Sequence, residues 1–224
     1  MTTTTTSAPV RPGAAPAIKY PTPLGSEFTR GSTSSKQIAL TFDAGADASP
    51  TLEILDALAK HGVHATFFLT GVWAKKNPSL VRRIAAEGHE IGNHTWDHKR
   101  LTDLNDGKIE EEAETTDNLI RELTGKSTKP LLRVPFGARD KHVLSVIEAN
   151  GYRSIYWDID SWDSVKVGIT SDEIEARVLG RVRDGSIILM HCGSKATADA
   201  LDSMLDKLSD DGYKPVTISR LLED

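Results

Sequence analysis

The sequence is short of cysteine, of basic charge and of long apolar runs, and each shortage narrows what the protein can be. One cysteine, Cys192, in 224 residues excludes an intramolecular disulfide framework and any cysteine-rich zinc site. No apolar stretch approaches the roughly 20 residues of a membrane-spanning helix; the longest, 186–190 and 65–69, have the length of strands. Lys and Arg number 27 against 32 Asp and Glu, a formal net charge of -5. Nucleic acid is a poor partner for such a chain, because phosphate binding draws on clustered basic residues. No glycine-rich phosphate loop precedes a helix and no dinucleotide fingerprint is present, which argues against nucleotide chemistry. Met1 is followed by threonines where an export signal needs a charged and then an apolar segment.

Large apolar side chains are also scarce from residue 1 to about 35. Threonines at 2–6 and the Pro- and Ala-rich run that follows have too little to bury to offset their ordering entropy. Residues 1–35 therefore read as a linker or disordered segment, and 36–224 as one domain. In that domain, short β-type runs alternate with helical ones. Strands are expected at 38–42, 65–69, 89–92, 131–134, 154–159, 187–190 and 216–218. Helices are expected at 51–60, 78–87, 108–123, 142–149, 172–183 and 198–210. Strict βα alternation implies a parallel sheet with helices outside. About seven such units suit a closed or nearly closed α/β barrel.

What is present is a set of polar residues at the ends of the expected strands: Asp43, Arg133, Asp158 and Asp160, His191, and the pair His94 and His98. In a parallel barrel the carboxyl ends of all strands share one face, so these residues converge. His94 and His98 are four apart, a spacing that puts both imidazoles on one side of a helical turn, where they share a metal or are simply two loop histidines. A hydrolytic zinc site takes three protein ligands and an open position, so a carboxylate is still to be found. Asp43, rigid at a strand end, suits a general base toward the attacking water. Asp47 is either a cap of the following helix or, folded back beyond Gly45, the third ligand. Arg133 keeps a neighbouring Asp43 ionised. Pro135 and Gly137 bend the chain so that the Phe136 N–H faces an oxyanion. His191 is a candidate general acid, with Asp163 or Asp160 raising its pKa.

The segments Thr-Phe-Asp-Ala-Gly (41–45), His94-x-x-x-His98, Arg-Val-Pro-Phe-Gly (133–137), 160–163 and 189–191, in that order, look like the polysaccharide deacetylase family (NodB-homology domain, carbohydrate esterase family 4). The resemblance covers essentially 36–224. It implies a distorted, incomplete (β/α) barrel, a divalent metal (usually Zn2+) and hydrolysis of acetyl groups on polysaccharide. Position by position it implies Asp43 as base, His94 and His98 as metal ligands, and Arg133 as tether of the base. It likewise implies His191 as acid, Asp163 as the residue tuning it, and Leu189 as the lining of the acetyl pocket. The family usually has a second Asp, a metal ligand, where Ala44 stands. It often has a Trp after the position of Asp163, where Ser164 stands and Trp162 precedes. Trp162, Trp157 and Trp96 are then the candidate sugar-stacking faces, with a core role the alternative for at least one of them. The expectation is a monomeric, metal-dependent enzyme, extracellular or cell-wall associated. It removes N-acetyl groups from N-acetylglucosamine polymers of peptidoglycan or chitin type. An O-acetyl xylan esterase and an inactive carbohydrate-binding relative are the alternatives.

Overall fold

The computed structural model describes residues 27–31 and 35–223. In chain order the elements are β1 (Glu27–Phe28), β2 (Gln37–Ala44), α1 (Thr51–Lys60), β3 (Thr66–Leu69), α2 (Gly71–Lys76), α3 (Pro78–Ala86), β4 (Glu90–Asn93), α4 (Asp106–Thr124), β5 (Leu131–Leu132), α5 (Lys141–Ala149), β6 (Arg153–Ile155), β7 (Ile159–Asp160), α6 (Ser171–Leu179), β8 (Ile187–His191), α7 (Lys195–Asp210), β9 (Lys214–Pro215) and α8 (Ile218–Leu222). Single 3-10 turns lie at Leu101–Asp103 and Pro135–Gly137. The strands run β1-β6-β5-β4-β3-β2-β8-β7, with β9 beside β2, and all strand pairings are parallel. The result is an open, curled half-barrel with helices outside.

Strand β2 organises it. After Gln37 every residue is buried, as befits a strand paired along both edges, to β3 and β8. Its side chains alternate. Ile38, Leu40, Phe42 and Ala44 pack outward with Ile54, Leu55 and Leu58 of α1, and Phe42 stacks on Phe67 at 5.1 Å. Ala39 faces the other way, into an inner cluster with Phe68, Ile155 and Ile187. Thr41 and Asp43 share that inner face by the two-residue period of a strand. Burying each large apolar side chain contributes about 1.5–3 kcal/mol, which fixes the register and hence where Asp43 emerges.

The expected architecture holds, with nine strands among the described residues where about seven were expected. The expected strand at 154–159 is two strands, because Tyr156 stacks on Trp157 at 3.8 Å and Asp158 accepts the Ile187 N–H at 2.8 Å. The last strand is displaced to Lys214–Pro215, since Ile218 opens α8 with Thr217 as its cap. The linker boundary at residue 35 needs correction: Glu27 and Phe28 pair with Ser154 and Ile155 of β6. Glu27 also forms a two-pronged ion pair with Arg139, both contacts at 2.6 Å. The rest of the expected linker, 1–26 and 32–34, lies outside the described residues. No described helix is long and apolar enough to cross a membrane.

Candidate active site

A pocket of about 510 Å³ opens at the carboxyl ends of the strands. Asp43, His94, His98, Phe136, Leu189 and His191 all line it, together with Trp157 and Asp160. Three segments well separated in sequence thus bring a carboxylate, a pair of imidazoles and a third imidazole to one cavity.

Asp43 is held by a guanidinium with no solvent exposure at all. Arg133 Nη1 donates to Asp43 Oδ1 at 2.8 Å and to Thr41 Oγ1 at 2.8 Å. Its Nε and Nη2 donate to the carbonyls of Ile155 and Tyr156, both at 3.1 Å, and it lies 4.2 Å over the Phe68 ring. A planar fork so fully spent is what Arg offers and Lys does not. Burial pushes the Asp43 carboxyl up, but Arg133, helped by His94 and His191, more than offsets it and the net direction is down. Asp43 is thus an ionised carboxylate whose second oxygen, Oδ2, sits 3.5 Å from His94 Nε2.

The two imidazoles meet, though not on a helical turn as their spacing suggested. Segment 94–98 is a loop after β4, reversed by Thr95 and His98 at φ +67 and +65. His94 Nδ1 donates to the Arg133 carbonyl at 2.8 Å, which leaves Nε2 as an unprotonated donor. His98 Nε2 faces it at 3.1 Å. Burial drives both pKa values down, His98 to about 4 with help from His94, so both rings are neutral near pH 7, as metal ligands must be. The donor set therefore fits a divalent metal through His94 and His98, with Asp43 as the neighbouring carboxylate. Among the described residues no cluster of three His, Cys, Asp or Glu stands ready-made around one point. In particular the structure does not bring Asp47 to the pair. Its exposed carboxylate accepts the Ser49 N–H at 3.0 Å and the Ser49 hydroxyl at 2.9 Å, both at Oδ1. Nor is it the cap of α1, whose N-cap is Pro50 with no side-chain bond.

Across the pocket, His191 Nδ1 donates to Asp163 Oδ1 at 2.6 Å. Asp163, not Asp160, is the partner; its other oxygen accepts the His191 N–H at 2.7 Å and the Thr197 hydroxyl at 2.6 Å. Burial lowers the His191 pKa, but the Asp163 carboxylate raises it more, and the net direction is up. Asp160 instead accepts the Trp162 N–H at 2.8 Å. Leu189 is an apolar wall, buried in the middle of β8. Phe136 is 60% exposed at the mouth, with φ +58, and stacks edge-on against His98 at 4.5 Å. Trp162, 44% exposed, is not among the residues that line the pocket, and Arg177 lies 3.3 Å over its ring; Trp157 lines the pocket itself.

Comparison with known proteins bears on this geometry. A model of the polysaccharide deacetylase family matches residues 30–155. The chain belongs to the polysaccharide deacetylase family. It is 39% identical to the peptidoglycan-N-acetylglucosamine deacetylase PgdA of Listeria monocytogenes over 84% of this chain, though that spans only 39% of PgdA. It is 34% identical to the peptidoglycan-N-acetylmuramic acid deacetylase PdaA of Bacillus subtilis, over 87% of this chain and 74% of PdaA. The solved structure of PdaA superposes with a TM-score of 0.84, covering 89% of this chain and 86% of that one at 32% identity. BA3943 of Bacillus anthracis, described as a pseudoenzyme of carbohydrate esterase family 4, superposes with a TM-score of 0.83 at 31% identity, over 88% of this chain and 69% of that one.

Proposed function

We propose that this protein hydrolyses N-acetyl groups of N-acetylglucosamine-containing polysaccharide, of peptidoglycan or chitin type, with a divalent metal, most simply Zn2+, held by His94 and His98. The observation that carries this reading is the opposite tuning of two groups on either side of one pocket. Arg133 draws the Asp43 carboxyl below its ordinary range, and Asp163 Oδ1, 2.6 Å from His191 Nδ1, raises the imidazole above its ordinary value. A base and an acid with separated pKa values are what amide hydrolysis needs. The names of the relatives, which include peptidoglycan deacetylases, favour a cell-wall polymer and an extracellular or wall-associated place of action.

In the reaction Asp43 Oδ2, the oxygen not held by Arg133, takes a proton from the water that attacks the acetyl carbonyl. The Phe136 N–H faces the oxygen that becomes negative. His191 delivers its Nε2 proton to the departing nitrogen as the C–N bond breaks, giving acetate and a free amine. Leu189 packs on the acetyl methyl, and Trp157 and Trp162 offer faces to neighbouring sugars. A metal at the two imidazoles supplies Lewis acidity to the carbonyl and lowers the pKa of water.

Two other readings follow from specific features. An O-acetyl xylan esterase needs the same base and acid. An inactive relative is suggested by Ala44 standing where a carboxylate is usual and by the likeness to BA3943. One experiment separates the three: acetate release from chitooligosaccharides, peptidoglycan and acetylxylan side by side, with and without chelator and with added zinc. Release from the aminosugar polymers that chelator abolishes supports the proposal. Release from acetylxylan alone favours the esterase, and none from any substrate favours the inactive relative.

A further inference from the structure

The segment that carries the two imidazoles is neither helix nor strand, and its two left-handed non-glycine residues, Thr95 and His98, persist only if the surroundings impose them. Three groups do so. Asn93 Oδ1 accepts the Thr95 N–H at 2.8 Å. The carbonyls of Thr95 and Trp96 accept the N–H groups of Gly71 and Val72, both at 2.9 Å. Gly71 is required by that approach, since a Cβ there would sit 2.0 Å from the Trp96 ring.

The third group is Glu112, in the middle of α4 and only 7% exposed. Its Oε2 accepts the N–H groups of Trp96 at 2.8 Å and Asp97 at 3.1 Å, and its Oε1 takes the Lys99 ammonium at 3.3 Å. Residues 96, 97 and 99 of the chain between and just beyond the histidines thus converge on one carboxylate. Glu112 does not line the pocket and touches no reacting group. A buried carboxylate is a costly way to fill space, which an apolar side chain does better, so its value lies in what it accepts.

The two histidines depend on the loop unequally. His94 is anchored at the end of β4 and by the Arg133 carbonyl. His98 lies beyond the reversal, so the direction of its Nε2 is set by the path of residues 95–97. We propose that Glu112 is a positioning residue: by fixing the Trp96 and Asp97 amides it aims His98 Nε2 at His94 Nε2, and so sets the site's affinity for a divalent metal. This rests on the metal reading of the pair given above.

The test is zinc titration of metal-stripped wild type, Glu112→Gln and Glu112→Leu. It is accompanied by melting temperatures of the metal-free proteins and visible spectra of the cobalt-loaded ones. Gln keeps an oxygen for both amides and loses only the charge; Leu keeps the bulk and loses the acceptor. With supporting groups typically worth 10–100-fold in metal affinity, Leu is expected to weaken zinc by about that factor and Gln by about threefold or less. The Leu variant's cobalt spectrum should change, and its metal-free melting temperature should fall modestly, because the Trp96 and Asp97 amides lose their acceptor. A Leu variant with wild-type zinc affinity overturns this proposal alone. Where that variant does not fold, the Gln variant decides, and zinc binding more than about tenfold weaker there overturns the acceptor role. A wild type that binds no zinc overturns both this proposal and the metal reading.

Discussion

Arg133 serves Asp43 and His94 at once: its side chain donates to Asp43 Oδ1 at 2.8 Å while its own carbonyl accepts from His94 Nδ1 at 2.8 Å. The proposed base and one proposed metal ligand are thereby positioned by a single residue through two different parts of it. Substitution separates the two roles. Arg133→Met keeps the carbonyl but leaves a buried Asp43 unpaired, which is expected to cost about 3–5 kcal/mol of stability. Asp43→Asn, which keeps shape and loses the base, is expected to lower kcat by on the order of 10² or more. Thermal melts and acetate-release kinetics check both. Near-normal turnover in Asp43→Asn sinks the base assignment.

The pH profile follows from the acid. His191 must carry its proton in the free enzyme, and its folded pKa lies above the ordinary 6.5 because of Asp163. Asp43 is already ionised below ordinary carboxylate pKa values. Activity is therefore expected to fall as pH rises through the His191 pKa, which lies above that of an ordinary imidazole. Asp163→Asn removes the raising charge, so the alkaline limb of kcat/KM should move to lower pH. An unmoved limb between pH 5 and 9 would assign it to another group.

Much of this site was legible because strand ends announce themselves: an apolar run followed at once by Asp43 or His191 needs only the rule that parallel strands end on one face. The pairing of Arg133 with Asp43 followed from their charges. What escaped was set by local backbone bonds. Left-handed Thr95 and His98 carry no glycine signal, so the loop between the histidines looked helical. Glu112 lay among the other charges of α4 and gave no sign of its burial. Strand β1 has two residues, too few for any periodicity, in a stretch otherwise poor in apolar residues.

That short strand is a test of the domain boundary. Phe28 is buried against Ile155, Phe68 and Leu221 in the inner cluster. Phe28→Ala is expected to cost about 3 kcal/mol, the lower end for emptying a large aromatic site. A denaturant midpoint within error of wild type would return residues 27–31 to the linker.

His89 links stability to pH. Desolvation holds its pKa at about 4 against the usual 6.5, and its Nδ1 accepts the Ala65 N–H at 3.2 Å. Between these values the unfolded chain binds a proton that the fold refuses, so stability rises with pH across the window and is lost as pH falls through it. His98, also held at about 4, adds to the same slope. His89→Gln keeps an acceptor and removes one titration, so its melting temperature should decline less than wild type from pH 6.5 to 4.5. Parallel declines would show that His89 protonates without cost.

The last prediction concerns the carboxylate nearest the imidazoles. Ala44 offers no donor atom, and a site with only two neutral imidazoles leaves a divalent charge uncompensated. Two aspartates are near enough in sequence to answer, and the structure separates them. Asp47 is committed to Ser49, whose N–H and hydroxyl hold its carboxylate below the ordinary 3.8. Asp43 Oδ2 lies 3.5 Å from His94 Nε2 inside the pocket. Asp47→Ala is therefore expected to leave zinc affinity unchanged and activity close to wild type. Asp43→Ala should weaken zinc by a factor of about 10 or more, since it removes the carboxylate 3.5 Å from His94 Nε2. Zinc titrations of both variants decide. Loss of binding in Asp47→Ala with retention in Asp43→Ala would mean that residues 44–47 refold around the ion, and that Asp43 serves the reaction as a base alone.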